Sequence, residues 1–219
     1  MARVRRLPAD ARRAQFLDVA LELFAERGYH DTSISHIIES ASVARGTFYQ
    51  YFKSKREIFD QLLDQLFEEV SSSVSPIRIG TPQDIADEVR ANIESLCRTL
   101  QENLPMGRVI LEQAVGLDEA GREQLRGFYL RVLDRIERAV RVGQKLGIVR
   151  PGDPSLISIF LLAMVKESLY QQIIGTRSFR VSDVVTEIFE CLQRGVLLVR
   201  LPGPAGGAKP GRKTSAPAD

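Results

Sequence analysis

The sequence contains no tryptophan and only two cysteines, two histidines and three methionines in 219 residues. Cys97 and Cys191 lie far apart, and neither has a second cysteine or a histidine close to it in the chain. This spacing excludes a zinc knuckle, gives no disulfide framework and fits a reducing cytoplasm. Because the histidines are only His30 and His36, and no glycine-rich phosphate loop is present, the sequence predicts neither an enzyme, a metal site nor a cofactor.

The sequence also lacks a strong net charge, because 30 basic and 28 acidic residues nearly cancel to give +2. A nucleic-acid site must therefore show in the local distribution of charge. The first 13 residues hold five arginines. These arginines either enter a DNA minor groove, lie along the DNA backbone or form a solvated, flexible end. No apolar stretch follows them as in a secretory signal, so we expect the protein to stay in the cytoplasm.

Long hydrophobic runs are missing as well. The most apolar segment, 156–165, has about half of the ~20 residues that a membrane span requires. We therefore expect it to form a helix that is buried on most of its circumference, with no membrane contact.

Strand signals are nearly absent, and apolar residues recur with a helical period along most of the chain, so the sequence predicts an all-α protein. A first helix over about 9–27 ends at Gly28, which suits a helix C-cap. A short second helix follows Thr32 as its N-cap candidate. A still shorter third helix covers about 44–52.

A longer fourth helix begins at a capping box formed by Ser54 and Glu57. The serine, glycine and proline content of 71–82 indicates a helix end followed by a linker. About five longer helices follow, the last two over about 154–174 and 182–199, with Asp153 as the N-cap of the first of these. The predicted domains are an N-terminal helical domain at 9–70, a second helical domain at 71–200 and a disordered tail at 201–219.

Four aromatic rings and three cations stand within residues 45–55. Phe48 and Phe52 share one helix face at i and i+4, so we expect both to pack against the first helix and Ile37 or Ile38. Tyr49 and Tyr51 lie on other faces and carry polar tips. The pattern alone leaves open whether these tyrosines pack or contact a partner.

Short helices separated by a tight turn are typical of a helix-turn-helix, whose second helix enters the major groove. The segment ALELFAERGYHDTSISHIIESASVARGTFYQYFKSKREIF resembles the DNA-binding domain of the TetR family of bacterial transcriptional regulators. The matching features include Gly28-Tyr29, the Gly-Thr-Phe-Tyr run at 46–49 and the Lys-Ser-Lys run at 53–55. The remaining chain matches that family only in its length and helical pattern.

The resemblance implies a set of DNA-binding residues. Gln50 would pair with adenine, Arg45 would reach guanine or a phosphate, and Gly46 would allow close approach of the backbone. Thr32 and Lys55 would contact phosphates at the starts of the second and fourth helices. The full predicted set is Thr32, Arg45, Gly46, Thr47, Tyr49, Gln50, Tyr51 and Lys55.

Two positions depart from the family pattern. Ser42 stands where the turn usually carries glycine, and a positive φ there would cost a serine about 1 kcal/mol. Ala44 stands where a small hydroxyl residue is frequent, which removes one phosphate contact.

The resemblance also implies a homodimer formed through the last two long helices and a C-terminal pocket for a small-molecule effector. The sequence supports the dimer with the apolar 156–165 run and with an apolar stripe on the final helix, made of Val181, Val184, Val185, Ile188, Leu192 and Val196. Polar residues within apolar helical stretches are candidate pocket residues, although each one taken singly is better explained as a surface or interface residue: Glu112, Gln113, Tyr129, Glu167 and Tyr170.

Three functions follow from these observations. The favoured one is a homodimeric repressor that binds an inverted-repeat operator in double-stranded DNA and is released by a small-molecule effector. The second is a DNA-binding regulator or architectural protein without such a switch. The third, an enzyme or a pure interaction protein, has no catalytic constellation in its favour.

Overall fold

The computed structural model describes residues 8–78, 80–112 and 118–197, and these ranges contain helices and no β-strand. The predicted all-α class is confirmed. In the described residues the helices are α1 (Ala9–Arg27), α2 (Ile34–Ser40), α3 (Arg45–Tyr49), α4 (Lys55–Ser73), α5 (Pro82–Glu102), α6 (Leu104–Glu112), α7 (Glu119–Lys145), α8 (Pro154–Ile173) and α9 (Val181–Gly195). The predicted tail at 201–219 lies outside the described residues.

Several predicted helix ends are confirmed. Gly28 closes α1 with φ 101°, and its N–H donates to the Phe24 carbonyl. Asp153 caps α8 by accepting from the Ser155 N–H, and proline follows it at the first helical position. Proline fits there because the first N–H groups of a helix have no intrahelical acceptor.

Two predicted caps are wrong in detail. The N-cap of α2 is Ser33 rather than Thr32, and the Ser33 hydroxyl accepts from the His36 N–H. At α4 the Ser54 hydroxyl accepts from the Glu57 N–H as predicted. The Glu57 carboxylate, however, accepts from the Lys53 N–H at 2.7 Å instead of completing the box with Ser54. The carboxylate thus fixes the chain one residue before the cap.

One hydrophobic core joins the N-terminal helices. Its centre consists of large side chains with almost no exposed surface, namely Phe16, Phe24, Phe48, Phe52 and Phe59. Side chains from α6 and α7 belong to the same core, among them Met106, Val109 and Phe128. The predicted domain boundary at residue 71 falls inside the last turn of α4, and apolar packing crosses it.

A second core lies between α5 and α9. Ile85, Val89 and Ile93 of α5 pack with Val185 and Ile188 of α9. The apolar stripe of α9 is therefore largely covered within the chain. The expectation that this stripe exceeds what one chain can bury is wrong, because α5 presents an apolar face of matching length.

Helix α8 is not buried on most of its circumference, and this expectation is also wrong. Only Ile157 and Ser158 are buried, whereas Leu156, Ile159 and Phe160 are exposed, Phe160 by 60%. By length and composition, α8 is the one described helix apolar enough to cross a membrane, with a mean hydropathy of 1.2. A single helix of this kind is weak support for a membrane span, and its exposed side needs another apolar surface as cover.

Candidate nucleic-acid interface

Helices α2 and α3 are joined by a short turn with defined hydrogen bonds. Ser42 adopts φ 53°, as the family pattern predicts for this position. The Val43 N–H donates to the Ile38 carbonyl, and the Gln15 side-chain amide donates to the Ala41 carbonyl from α1. Ala44 is the N-cap of α3 and supplies no side-chain cap. The turn is thus held by α1 and by its own backbone.

The two phenylalanines of the α3 region anchor it to α1, as predicted. The ring centroid of Phe16 lies 5.4 Å from that of Phe48 and 6.1 Å from that of Phe52, both in edge-to-face geometry. Ile37 of α2 belongs to the same buried cluster. Edge-to-face pairs of this kind add to the burial energy and fix the rotation of the helix about its axis.

The anchored helix presents polar residues on its outer side. Arg45, Gly46 and Gln50 are exposed, and Thr47 is half-buried. Tyr49 is 46% exposed although it is aromatic. The Arg45 guanidinium lies 6.0 Å from the centre of the Tyr49 ring. A Cβ built on Gly46 would meet no atom within 4 Å, so packing within the chain does not require glycine there.

Tyr51 is half-buried, and its ring centroid lies 5.7 Å from that of Phe16. Arg13 holds this end of α3, because its guanidinium donates to the Tyr51 carbonyl at 3.4 Å and lies 4.8 Å from the centre of the Phe52 ring. It also donates to the Gln61 side chain of α4. Neither DNA contact nor a solvated, flexible end, the expectations for the basic N-terminus, therefore describes Arg13, whose side chain connects α1, α3 and α4.

Of the other two predicted contacts, Thr32 points into the protein and the half-buried side chain of Lys55 lies against the α1–α2 loop. Thr32 is buried, and its hydroxyl lies within hydrogen-bond distance of the carbonyls of Leu23 (3.2 Å) and Gly28 (2.7 Å). The Lys55 ammonium donates to carbonyls of the α1–α2 loop. The structure thus does not place the Thr32 hydroxyl for the predicted phosphate contact, and the phosphate role of Lys55 stays a prediction.

The predicted ligand residues are not gathered around one cavity. The side chains of Glu112 and Gln113 lie outside the described residues. Tyr129 packs at the edge of the N-terminal core, where burial raises its pKa. Glu167 is exposed and accepts from the Gln171 amide, and Tyr170 is half-buried.

A small, partly open cavity lies between α5, α8 and α9, beside Gln101, Ser168 and Gln172, and has a volume of about 30 Å³. This volume has room for little more than one water molecule. In the part of the chain that the structure describes, no group of three His, Cys, Asp or Glu side chains is arranged to hold a metal ion.

Residues 16–62 match the family model described as bacterial regulatory proteins, tetR family. These residues include α2, the turn and α3. They form a TetR-family N-terminal domain. The match includes the exposed residues of α3. The resemblance to the TetR family inferred from the sequence is therefore confirmed.

Known proteins with a similar TetR-family domain are transcriptional regulators. The chain is 33% identical over 107 residues to the HTH-type transcriptional activator FasR of Mycolicibacterium smegmatis. The aligned segment covers 49% of this chain and 48% of FasR. It is 24% identical to the fatty acid metabolism regulator protein of Bacillus subtilis, over 83% of this chain and 94% of that protein.

The fold also has solved counterparts. A putative TetR-family transcriptional regulator from Syntrophomonas wolfei superposes with a TM-score of 0.74 and 25% identity, covering 88% of this chain and 100% of the other. Together with the TetR-family domain, these matches support a DNA-binding transcriptional regulator. Regulators of this family are generally not enzymes, and the fold is consistent with a cytoplasmic protein.

Proposed function

We propose that the chain is a homodimeric repressor that binds an inverted-repeat operator through the outer face of α3 and is released by a small-molecule effector. Each subunit would place one α3 in a major groove, and the two helices would be about one DNA turn apart, ~34–36 Å. The twofold symmetry of the dimer would then match the symmetry of the operator.

The contrast between neighbouring aromatic residues supports DNA contact most directly. Phe48 is fully buried, whereas Tyr49 next to it is 46% exposed and stands beside exposed Arg45 and Gln50. A tyrosine ring offers an apolar body for a thymine methyl or sugar and a hydroxyl for a phosphate. Glutamine is suited to adenine N6 and N7, and arginine to guanine.

The exposed apolar side of α8 supports the dimer. Leu156, Ile159 and Phe160 stand on consecutive turns of this helix, and all three are exposed in the single chain. Monomeric proteins seldom expose a contiguous apolar surface of this kind. A second copy would cover it with the same residues in a twofold contact, with the polar outer side of α9 at the edge of the interface.

The effector proposal rests on the helical C-terminal domain and on relatives. One relative is named as a fatty acid metabolism regulator, and it aligns with most of this chain. Fatty acyl compounds are therefore the effector class to test first. The alternative, a regulator without an effector, is kept because the cavity between α5, α8 and α9 is small.

The DNA-binding proposal is tested by titrating the purified protein against DNA from upstream of its own gene at several salt concentrations. We expect footprinting to show a protected inverted repeat, and affinity to fall steeply with salt because phosphate contacts release counterions. Gln50→Ala should lose about 1–3 kcal/mol of binding free energy, mainly at one base pair. Gln83→Ala, an exposed glutamine on α5, is the matched control. Equal DNA affinity of wild type, Gln50→Ala and Gln83→Ala would contradict the proposal that α3 contacts DNA.

The effector proposal is tested by thermal-shift measurements with fatty acids and acyl thioesters of graded chain length, followed by release of bound DNA. A ligand that binds only the folded protein raises the melting temperature, and the shift grows with the logarithm of the ratio of free ligand concentration to its Kd. We expect one range of chain lengths both to stabilise the protein and to weaken DNA binding, because release requires unequal affinity for the two states. A compound that raises the melting temperature without releasing DNA would favour the alternative, a regulator that has no small-molecule switch.

A further inference from the structure

The Lys55 side chain lies folded against the loop between α1 and α2 instead of extending into solvent. Its Nζ atom is 2.5 Å from the Tyr29 carbonyl oxygen, 2.7 Å from that of Thr32 and 3.2 Å from that of His30. It also lies 4.4 Å from the centre of the Tyr29 ring. An ammonium group has three N–H donors and no acceptor, so these three carbonyls use all of its hydrogen-bonding capacity.

The same loop is fastened from its inner side by Thr32. The Thr32 hydroxyl bonds to carbonyls at the end of α1, and its N–H donates to the Gly28 carbonyl at 3.2 Å. Ser33, the N-cap of α2, follows directly. Lys55 and Thr32 therefore hold the two sides of the loop that sets where α2 begins, and α2 leads through the short turn into α3.

From this geometry we propose that Lys55 is a positioning residue for DNA binding, which acts by holding the α1–α2 loop and thereby the start of α2. This inference rests on the proposed function, since it concerns how α3 is presented to DNA. A direct phosphate contact by Lys55 would require the ammonium to give up a carbonyl bond at a half-buried site. Burial also lowers its pKa, an effect opposed by the nearby carboxylates of Asp118 and Asp31.

The neighbouring Lys53 provides a matched control, because it is two residues away, carries the same charge and has an exposed side chain. The experiment compares wild type, Lys55→Met, Lys55→Arg and Lys53→Met in two measurements. The first is the affinity for the upstream DNA as a function of salt. The second is hydrogen exchange of residues 33–41 in the free protein.

We expect Lys55→Met to bind about tenfold more weakly at every salt concentration, with a slope of log affinity against log salt equal to that of wild type. Exchange within 33–41 should become faster, while the melting temperature still reports a folded protein. Lys55→Arg keeps the charge and supplies several N–H donors, so its DNA affinity and its hydrogen exchange within 33–41 should both be close to those of wild type. Lys53→Met should exchange as wild type does.

If Lys55 instead contacted a DNA phosphate directly, the Lys55→Met variant would give a different result. Loss of one phosphate contact lowers the salt slope by about 0.9 and leaves hydrogen exchange in the free protein unchanged. That result for Lys55→Met would overturn the proposal, as would wild-type affinity together with wild-type exchange.

Failure of the variant to fold and failure of wild type to bind DNA have different consequences for the proposal. If Lys55→Met does not fold, Lys55→Gln, which keeps a side-chain donor, replaces it with the same expectations. If wild type fails to bind any upstream DNA, the proposed function fails, while the exchange data still decide whether Lys55 holds α2.

Discussion

At the scale of single residues, adjacent side chains in α3 have opposite environments. Phe48 has no exposed surface, whereas Tyr49 has nearly half of its surface exposed. The sequence predicts the burial of Phe48 and Phe52 from their i, i+4 spacing. It leaves the tyrosines open, because an amphipathic ring satisfies both a packed and an exposed position.

Phe48→Ala is predicted to lower the free energy of unfolding by about 3–5 kcal/mol, since it empties a site between α1 and α3. Tyr49→Ala should change it by less than about 1 kcal/mol, because the Tyr49 ring is partly exposed and packs edge-on against one neighbour. Denaturant unfolding of the two variants measures both values. Similar losses for the two substitutions would show that Tyr49 is part of the core.

Ser42 is the one described residue other than glycine with a positive φ, at 53°. Ser42→Gly should stabilise the protein by up to about 1 kcal/mol, because glycine adopts this conformation without steric cost. The gain is partly offset by the greater backbone freedom of glycine in the unfolded chain. A lower melting temperature for the glycine variant would contradict the expectation and indicate that the exposed serine side chain is stabilising.

At the scale of helices, sequence periodicity and capping residues predict most of the fold. Gly28 and Asp153 end and begin helices as predicted, because their roles depend on local backbone geometry. The hydrogen bonds of Thr32 and Lys55 could not be predicted from the sequence pattern, because Thr32 reaches back to the Leu23 carbonyl and Lys55 to carbonyls of the α1–α2 loop, contacts that exist only once the chain has folded. The periodicity of α9 predicts an apolar stripe and does not indicate that α5 covers it.

The packing of α9 on α5 makes a prediction about Cys97, which lies in this second core. Burial raises the pKa of its thiol to about 11. At pH 8 roughly one molecule in a thousand would carry the reactive thiolate, so reaction with a thiol reagent should be slow in the folded protein. In a Cys191→Ser background, a chromogenic disulfide reagent should modify Cys97 rapidly only after denaturation. Rapid modification under native conditions would argue against the α5–α9 packing.

At the scale of the whole molecule, the exposed apolar side of α8 is the feature that supports the proposed dimer. The N-terminal core extends through α6 and α7, so the helices proposed to bind DNA share apolar packing with the C-terminal helices α6 and α7. Sequence alone places apolar residues in α8 but does not show which of them the chain itself covers. The structure leaves Phe160 among the most exposed apolar side chains.

Phe160→Asp is predicted to give a monomer in light-scattering measurements, because it places a charge in the proposed interface. Operator affinity should fall strongly, since each subunit would then bind its half-site without its partner. Leu130→Asp on α7, where the leucine is 55% exposed, is the control and should remain dimeric. A wild-type protein that is monomeric at micromolar concentration would contradict the dimer proposal.

The central claim is that the outer face of α3 contacts DNA. The most direct test is the affinity of Tyr49→Ala for the upstream operator, measured by fluorescence anisotropy beside wild type and after its folding has been verified. We expect a loss of affinity of about tenfold or more with only a small change in melting temperature, because the exposed ring would be lost from the interface and not from the core. A folded Tyr49→Ala protein that binds the operator as tightly as wild type would contradict the account.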